Sequence, residues 1–489
     1  MNWKFINDDY VKFLRYGQHF IEKNGSGILA FINPHGFLDN PTFRGMRWNL
    51  LKTYDKIYTI DLHGNAKKRE ISRDGSNDVN VFDIEQGVSI NLFIKTANSK
   101  IKKLCNVSHC DLYGKREIKY DYLLNNSLNS VLFKSVIPHP NGYFFKNLNE
   151  DKHRKYNEGI NPVNLFKVNV MGFQTHRDDF SIDFEKGKII ERALDLRNMS
   201  ISDDEIYRKY GIKDNRDWKL EKARKEIQSD INWEGNIINC TYRPFDERPC
   251  YFSYVMMDYP RKELIQNIKK NANLLIGIGR QGLAVGDIKW CLTIVAKSPV
   301  DANVFRRGGV NLFPLYLYPD TKDLLSLGQS TVRIPNLNSE VIEIFGSRIS
   351  LTFSNEEEIS SNTRLSFAPI DILDYMYAVL HSPTYREKYK EFLKIDFPRV
   401  PYPKDQETFW KLVKLGGELR KIHLMENPIL DKLITKYPIA GSNEVGKVRF
   451  EMYDYEATLP NDNGEIEYPD YLGAVYINDT QYFADVPTS

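Results

Sequence analysis

The stretch that decides the fold runs from Gly25 to Asn65, GSGILAFINPHGFLDNPTFRGMRWNLLKTYDKIYTIDLHGN, and resumes after a polar loop as Val81 to Lys95, VFDIEQGVSINLFIK. Ile28 to Ile32 is a short apolar run ending in the polar turn Asn33-Pro34-His35-Gly36, so it reads as a strand. Asn40 followed by Pro41 opens a helix. Along it Phe43, Met46, Leu50, Leu51 and Tyr54 fall on one side. A strand from Lys56 to Leu62 follows, and a further apolar strand spans Val88 to Ile94. This is how a doubly wound α/β sheet finishes. The expectation is therefore the C-terminal half of such a sheet, its first half not being in this chain.

Outward from that stretch, Asp8 or Asp9 can cap a preceding helix with Tyr10, Phe13, Leu14, Gly17 and Ile21 inward, stopped by Asn24-Gly25. On the other side, Val88 to Ile94 and the loosely alternating Leu104 to Leu112 read as paired antiparallel strands at a sheet edge. The intervening HGNAKKREISRDGSNDVN is either a solvated connection or a flap over a partner.

The 489 residues suffice for two to four domains, and 42% apolar with 13% aromatic content marks a globular chain. A formal net charge of +2 gives no global electrostatic case for nucleic acid, so any such case must be local. Cysteines 105, 110, 240, 250 and 291 form no CxxC pair and suit free thiols in a reducing cytoplasm. No secretory signal core and no run of about 18 apolar residues occurs, so a cytoplasmic protein without a membrane span is expected.

Further along, Asp203 to Asp230 is charged and helix-prone, and Cys240 to about Pro319 suggests a β-containing module. Asp320 to Ser366 reads as including an exposed connector, and Phe367 to Tyr437 as helical. The tail from Glu451 carries nine carboxylates and no Lys or Arg, a poor surface for DNA.

Asn33-Pro34-His35-Gly36 departs from the Asn-Pro-Pro-Tyr turn with which amino-methylating DNA enzymes hold a flipped base: the second proline and the stacking ring are missing. It reads as a strand-end turn. Gly277-Ile278-Gly279 is the one dense glycine pattern, but no helix follows it as a cofactor turn requires, so strand and turn glycines are expected. The region from Thr241 to Gln281 is richer. TYRPFDERPCYF and DYPRKELI interleave Arg243, Arg248, Arg261 and Lys262 with Tyr242, Phe245, Tyr251 and Phe252, and Arg280-Gln281 follows. Arg bridges the two guanine acceptors, Gln does so for adenine, and Lys and Arg neutralise phosphate. Between Val255 and Val310, a span that includes Arg306 and Arg307, nine Lys/Arg face four Asp/Glu. Ordinary surface charge over an aromatic core is the competing account.

At these residues the chain resembles the adenine-N6 DNA methyltransferases of single-polypeptide restriction–modification enzymes, in particular the type ISP and Eco57I-like proteins. The resemblance rests on INDDYVKFLRYGQHFIEKNGSGILAFI, LDNPTFRGMRWNLLKTYDKIYTIDLHGN, VFDIEQGVSINLFIK, TYRPFDERPCYF, LFPLYLYP, FAPIDILDYMYAVLHSPTYREKYKEFLKIDFPRVPYP and FWKLVKLGGELRKIHL, in consistent order over nearly the whole length. It implies a layout: residues 1–126 the C-terminal part of a Rossmann-like methyltransferase sheet, 127–366 a mixed α+β target-recognition domain, 367–437 its helical part, and 438–489 an acidic β-rich tail. In the family the glycine-rich methyl-donor motif and Asn-Pro-Pro-Tyr lie upstream of the sequence matching Asn7. S-adenosylmethionine is thus the cofactor of the complete enzyme, not expected to bind well to this chain. Phe43 falls where such enzymes place an aromatic near the target adenine, helix packing being the alternative, and Asn33 could line the same cleft. Arg243, Arg248, Arg261, Lys262, Arg280, Gln281, Arg306 and Arg307 fall in the specificity region as DNA-contact candidates.

Two functions follow as expectations. One is target recognition on double-stranded DNA within an adenine-N6 methyltransferase, dependent on an N-terminal catalytic portion or subunit that carries Asn-Pro-Pro-Tyr. The other is a non-catalytic specificity subunit that docks on a separate catalytic or nuclease subunit.

Overall fold

The first strands form a five-stranded sheet whose middle is filled out of chain order. The computed structural model describes all residues except 1–6, 67–69, 71, 73–74, 98–103, 139, 141, 147–149, 280–289, 306–308, 319–332, 357–363, 394–395, 454–471 and 488–489. Helix α1 (Asp9–Asn24) ends at Gly25, whose φ of 80° is the left-handed cap that favours glycine. Strand β1 (Gly27–Pro34), helix α2 (Arg44–Thr53), β2 (Lys56–Asp61), β3 (Val88–Lys95), β4 (Val107–Asp111), helix α3 (Arg116–Asn125) and β5 (Lys134–Val136) follow. The sheet order is β1-β3-β2-β4-β5.

Here the sequence expectation is corrected. β3 does not pair with β4 at an edge; it lies antiparallel between β1 and β2, Ile94 facing both Ile28 and Lys56. β4 instead runs parallel to β2. The physical reason is two-sided burial: Phe93 packs with Leu14, Leu50 and Ile57 on one face, while Val88 packs with Ile60 and Leu112 on the other. A strand apolar on both faces belongs in a sheet's interior. The helix-face expectation for α1 also shifts. Leu14 and Ile21 are buried as expected, but Phe13 is exposed and Gln18 is buried, its amide donating to Asn49 Oδ1 at 2.7 Å.

Beyond this sheet, helices α4 (Lys186–Arg197), α5 (Asp203–Tyr210) and α6 (Leu220–Ser229) bury Ile189, Leu196, Ile206, Leu220 and Ile227 together. A four-stranded sheet joins β6 (Val170–Met171), β9 (Leu275–Gly279), β10 (Thr293–Ala296) and β11 (Val310–Pro314) in the order β10-β9-β11-β6. Between these two cores runs the hairpin of β7 (Ile237–Arg243) and β8 (Asp246–Tyr251). Ile237 and Tyr251 pack into the helical core, Cys240 and Cys250 into the sheet core.

The segment read as including an exposed connector also holds helix α7 (Ser339–Ile349), capped by the Asn338 side chain and burying Ile342, Phe345 and Ile349. Its flanking Ser, Asn and Glu residues masked a short apolar period. Helices α8 (Pro369–His381) and α9 (Gln406–His423) complete the main elements before a second compact unit, residues 421–489. That unit contains the antiparallel strands β12 (Arg449–Met452), β13 (Leu472–Tyr476) and β14 (Tyr482–Pro487). Among the described residues no helix is long and apolar enough to cross a membrane.

Candidate functional site

The β7–β8 hairpin is clamped at its base by two cores and presents its tip outward. Arg243 pairs with Asp246, and the ladder slips between Thr241 and Arg243. Such a bulge increases local twist and re-aims side chains. The loop is Pro244-Phe245. Phe245 holds φ 61°, a backbone region that costs a non-glycine residue roughly 1–2 kcal/mol, and its side chain is 66% exposed. A large apolar ring held in a strained turn at the surface is the kind of feature that marks a working site.

Behind the tip, aromatic rings and guanidinium groups alternate. The Arg243 guanidinium lies 3.7 Å from the Tyr242 ring centre, and that of Arg248 lies 4.6 Å from the same ring and 3.9 Å from Phe184. Arg248 is held in a fork by Asp246, through Nε at 2.9 Å and Nη2 at 2.6 Å. Arg243 Nη1 donates to Asp301 Oδ1 at 3.1 Å. The platform is therefore preorganised rather than a field of unpaired cations. It can stack on flat ligands and offer forked donors.

Asp301 anchors this arrangement and is almost fully buried. Burial lifts its carboxyl from 3.8 to about 6, and the Asp178 carboxylate adds to the lift, while the Asn303 N–H and Arg243 act against it. The folded chain thus holds this proton more tightly than the unfolded chain does. The associated stability is complete below ~3.9 and is lost as pH rises through the folded value. Thermal unfolding of wild type and Asp301→Asn from pH 4 to 7 should show the asparagine variant gaining relative to wild type as pH increases. A pH-independent difference between them would contradict this.

The other residues singled out in the sequence fall elsewhere. Tyr251 and Phe252 are fully buried. Arg261 donates to Gln174 Oε1 at 3.2 Å and, at 3.4 Å, to the Gly172 carbonyl, which ties it to the start of the module. Lys262 is exposed at the head of a short helical turn. Arg280, Gln281, Arg306 and Arg307 lie outside the described residues. Phe184 is the contact that sequence reasoning missed. Nothing in the intervening chain links it to Arg248 until the fold stacks them.

Gly277 and Gly279 sit inside β9, whose residues are all buried. A Cβ at 277 would meet Val310 and Leu312 side chains at 3.0 and 3.2 Å. These glycines serve close strand packing, and the residues around them do not fit a nucleotide-like methyl donor.

Phe43 is 4% exposed in the core between α1 and α2, 6.2 Å from the Tyr10 ring. The packing alternative accounts for that placement. Asn33 is buried at the end of β1, where its Oδ1 accepts from Asn91 Nδ2 at 2.8 Å. His35 is buried beside it.

Comparison with known proteins adds the following. Residues 164–489 match the model of the Type ISP C-terminal specificity domain. No curated protein matches the chain. Among solved structures, the ATP-dependent Type ISP restriction–modification enzyme LlaBIII bound to DNA is similar with a TM-score of 0.65 and 22% identity, covering 99% of this chain and 30% of that one. A nuclease-deletion mutant of the Type ISP restriction–modification enzyme LlaGI, in complex with a DNA substrate mimic, gives 0.61 and 20%, covering 99% and 42%. A DrdV–DNA complex gives 0.59 and 19%, covering 99% and 46%. The chain thus spans less than half the length of these structures, and at such identities the likeness is one of fold.

Proposed function

The chain belongs to the family of Type ISP C-terminal specificity domains, and from that premise we propose that it binds double-stranded DNA and reads a target sequence. It does so as the recognition part of a cytoplasmic restriction–modification adenine-N6 DNA methyltransferase. The observation that carries this reading is the β7–β8 tip, where Phe245 projects and Arg243 and Arg248 flank Tyr242. Forked guanidinium groups suit the guanine edge in the major groove, and exposed rings suit stacking or apolar contact with thymine methyls. Arg280, Gln281, Arg306 and Arg307 join the proposed contact set from the sequence alone.

The reading also covers the first 126 residues. β1 and β2 run in the same direction with α2 between them, and β3 fills the gap antiparallel. That arrangement supports the closing half of a Rossmann-like methyltransferase sheet. In this proposal S-adenosylmethionine is the methyl donor of the complete enzyme, and a catalytic portion or subunit carrying Asn-Pro-Pro-Tyr holds it. The chain's own part is to fix the duplex and its register.

Fluorescence anisotropy with a randomised duplex pool, followed by selection and sequencing, tests this directly. The intact chain should bind with a salt-dependent affinity and enrich a motif. Arg248→Ala should weaken binding to that motif by about tenfold, within the 1–3 kcal/mol expected of a forked base contact, and relax preference at one position. Lys262→Ala should lower affinity for all sequences alike. A chain that binds no duplex, or an Arg243→Ala/Arg248→Ala double variant that selects the same motif with equal affinity, would remove the proposal. Transfer of labelled methyl groups to DNA by the isolated chain would overturn its dependence on a catalytic partner.

A further inference from the structure

We infer that His35, His63 and Glu70 form a site for a divalent transition-metal ion of the Zn2+ type. His35 follows the end of β1, His63 lies two residues beyond β2, and Glu70 lies in the segment between β2 and β3. Each offers one ligand atom, and these atoms lie within 4.8 Å of one another. Zinc binds imidazole nitrogen and carboxylate oxygen at about 2.0–2.2 Å, so tetrahedral neighbours stand roughly 3.4 Å apart. His63 Nδ1 and Glu70 Oε1 are 3.5 Å apart.

The far side of each imidazole is already fixed by a carboxylate. His35 Nδ1 lies 2.8 Å from Asp61 Oδ1, and His63 Nε2 lies 2.9 Å from Asp111 Oδ1. A carboxylate on one ring nitrogen is what orients a histidine to ligate through the other. Among the described residues His63 Nδ1 has no hydrogen-bond partner, although its side chain is only 4% exposed. Glu70 takes the Asn65 N–H on Oε2 at 2.9 Å, which turns Oε1 toward His63. On the remaining side, His35 Nε2 lies 3.4 Å from the Asn65 amide nitrogen.

Gly87 keeps the space beside His35 open. A Cβ there would come within 2.7 Å of His35 Nε2 and 2.8 Å of the His63 carbonyl oxygen. Asp39, Asp61, Glu70 and Asp111 gather around the cluster, and among the described residues Lys146 contacts Asp61 at 2.7 Å and Asp39 at 3.4 Å. Two imidazoles and one carboxylate are a borderline donor set, which selects Zn2+ over Mg2+ or Ca2+.

The test uses the untagged full chain, stripped with a chelator, reloaded with Zn2+ alone, desalted and assayed for metal by mass spectrometry. One Zn2+ per chain is expected, together with a rise in Tm and, with Co2+ in its place, the visible absorption of a low-symmetry site. Glu70→Gln keeps the acceptor for the Asn65 N–H and should lose at least about tenfold in Zn2+ affinity. Asp111→Asn, a positioning change, should cost about 10–100-fold. A wild-type chain that retains no Zn2+ and shows no Tm shift overturns the site. So does unchanged affinity in both variants. Duplex binding, measured separately, is independent of either outcome.

Discussion

Arg47→Ala is expected to cost about 3–5 kcal/mol of stability, a large share of a domain's whole margin of about 5–15 kcal/mol. Arg47 is fully buried in α2, although arginine is rarely so. Its guanidinium donates to the carbonyl oxygens of Phe37 at 2.7 Å, Asn40 at 2.8 Å and Gly142 at 2.9 and 2.7 Å. One planar fork thereby ties the turn after β1, the entry to α2 and a segment some 95 residues later. Burial pushes the group down to about 9, opposed by the nearby Asp39 carboxylate, so the guanidinium stays charged at neutral pH. Alanine would strand three carbonyls, each at about 1–3 kcal/mol where buried, and leave a void against the Phe144 ring. Lysine should rescue only part of the loss, because a point charge on a flexible stem cannot span the same acceptors. Thermal unfolding and amide exchange around residues 37–40 measure this. A shift below ~1 kcal/mol, the range of an ordinary surface change, would show that the fork is dispensable.

The same helix shows which parts of the fold were legible. The apolar period Phe43, Met46, Leu50, Leu51 and Tyr54 marks the buried face: Met46 is partly buried and the other four are 4% exposed or less. Arg47 lies beside that face, and its charge argued for solvent. Only the carbonyls brought from Phe37, Asn40 and Gly142 make its burial possible, and their convergence is tertiary. Strand runs were legible for the same reason as the helix face, but strand order was not. Val88 to Lys95 carries no mark saying that it inserts between its two predecessors; its two-sided apolar pattern says only that it is interior.

The candidate sites divide the same way. Tyr242, Arg243 and Arg248 were visible because a hairpin keeps them close in sequence, and the local ladder sets their faces. Phe184 was invisible, since its stacking on Arg248 needs the whole helical core in between. In the sequence His35 is one residue of a strand-end turn, 28 positions from His63 with no ligand spacing between them. Periodicity cannot show that β1 and β2, running the same way on either side of β3, end at the same edge of the sheet. That shared end is what brings His35, Asp61 and His63 together.

Gly416→Ala reverses the usual sign of a helix substitution. In an exposed helix, alanine in place of glycine stabilises by about 0.5–1 kcal/mol. Gly416 lies mid-way along α9, in the run KLGGELRK that reads as an amphipathic helix weakened by two glycines. A Cβ at 416 would land on the backbone carbonyl oxygen of Asp374 in α8, and backbone cannot rotate away as a side chain can. The two helices must separate or slide. Arg420, which holds Asp374 through Nε at 2.6 Å and Nη2 at 3.0 Å, moves with them. Phe409, packed 5.6 Å from the Tyr375 ring, is displaced as well. The expected loss is at least the 1–3 kcal/mol of ordinary overpacking, with the partly buried ion pair adding to it. Gly417→Ala is the internal comparison. Its Cβ meets side-chain atoms, nearest the Asp374 carboxylate oxygen at 2.9 Å, and not backbone. Denaturant titration of both variants should place Gly416→Ala well below wild type and Gly417→Ala between them. Equal midpoints would mean that the close approach of α8 and α9 is not what the glycine serves.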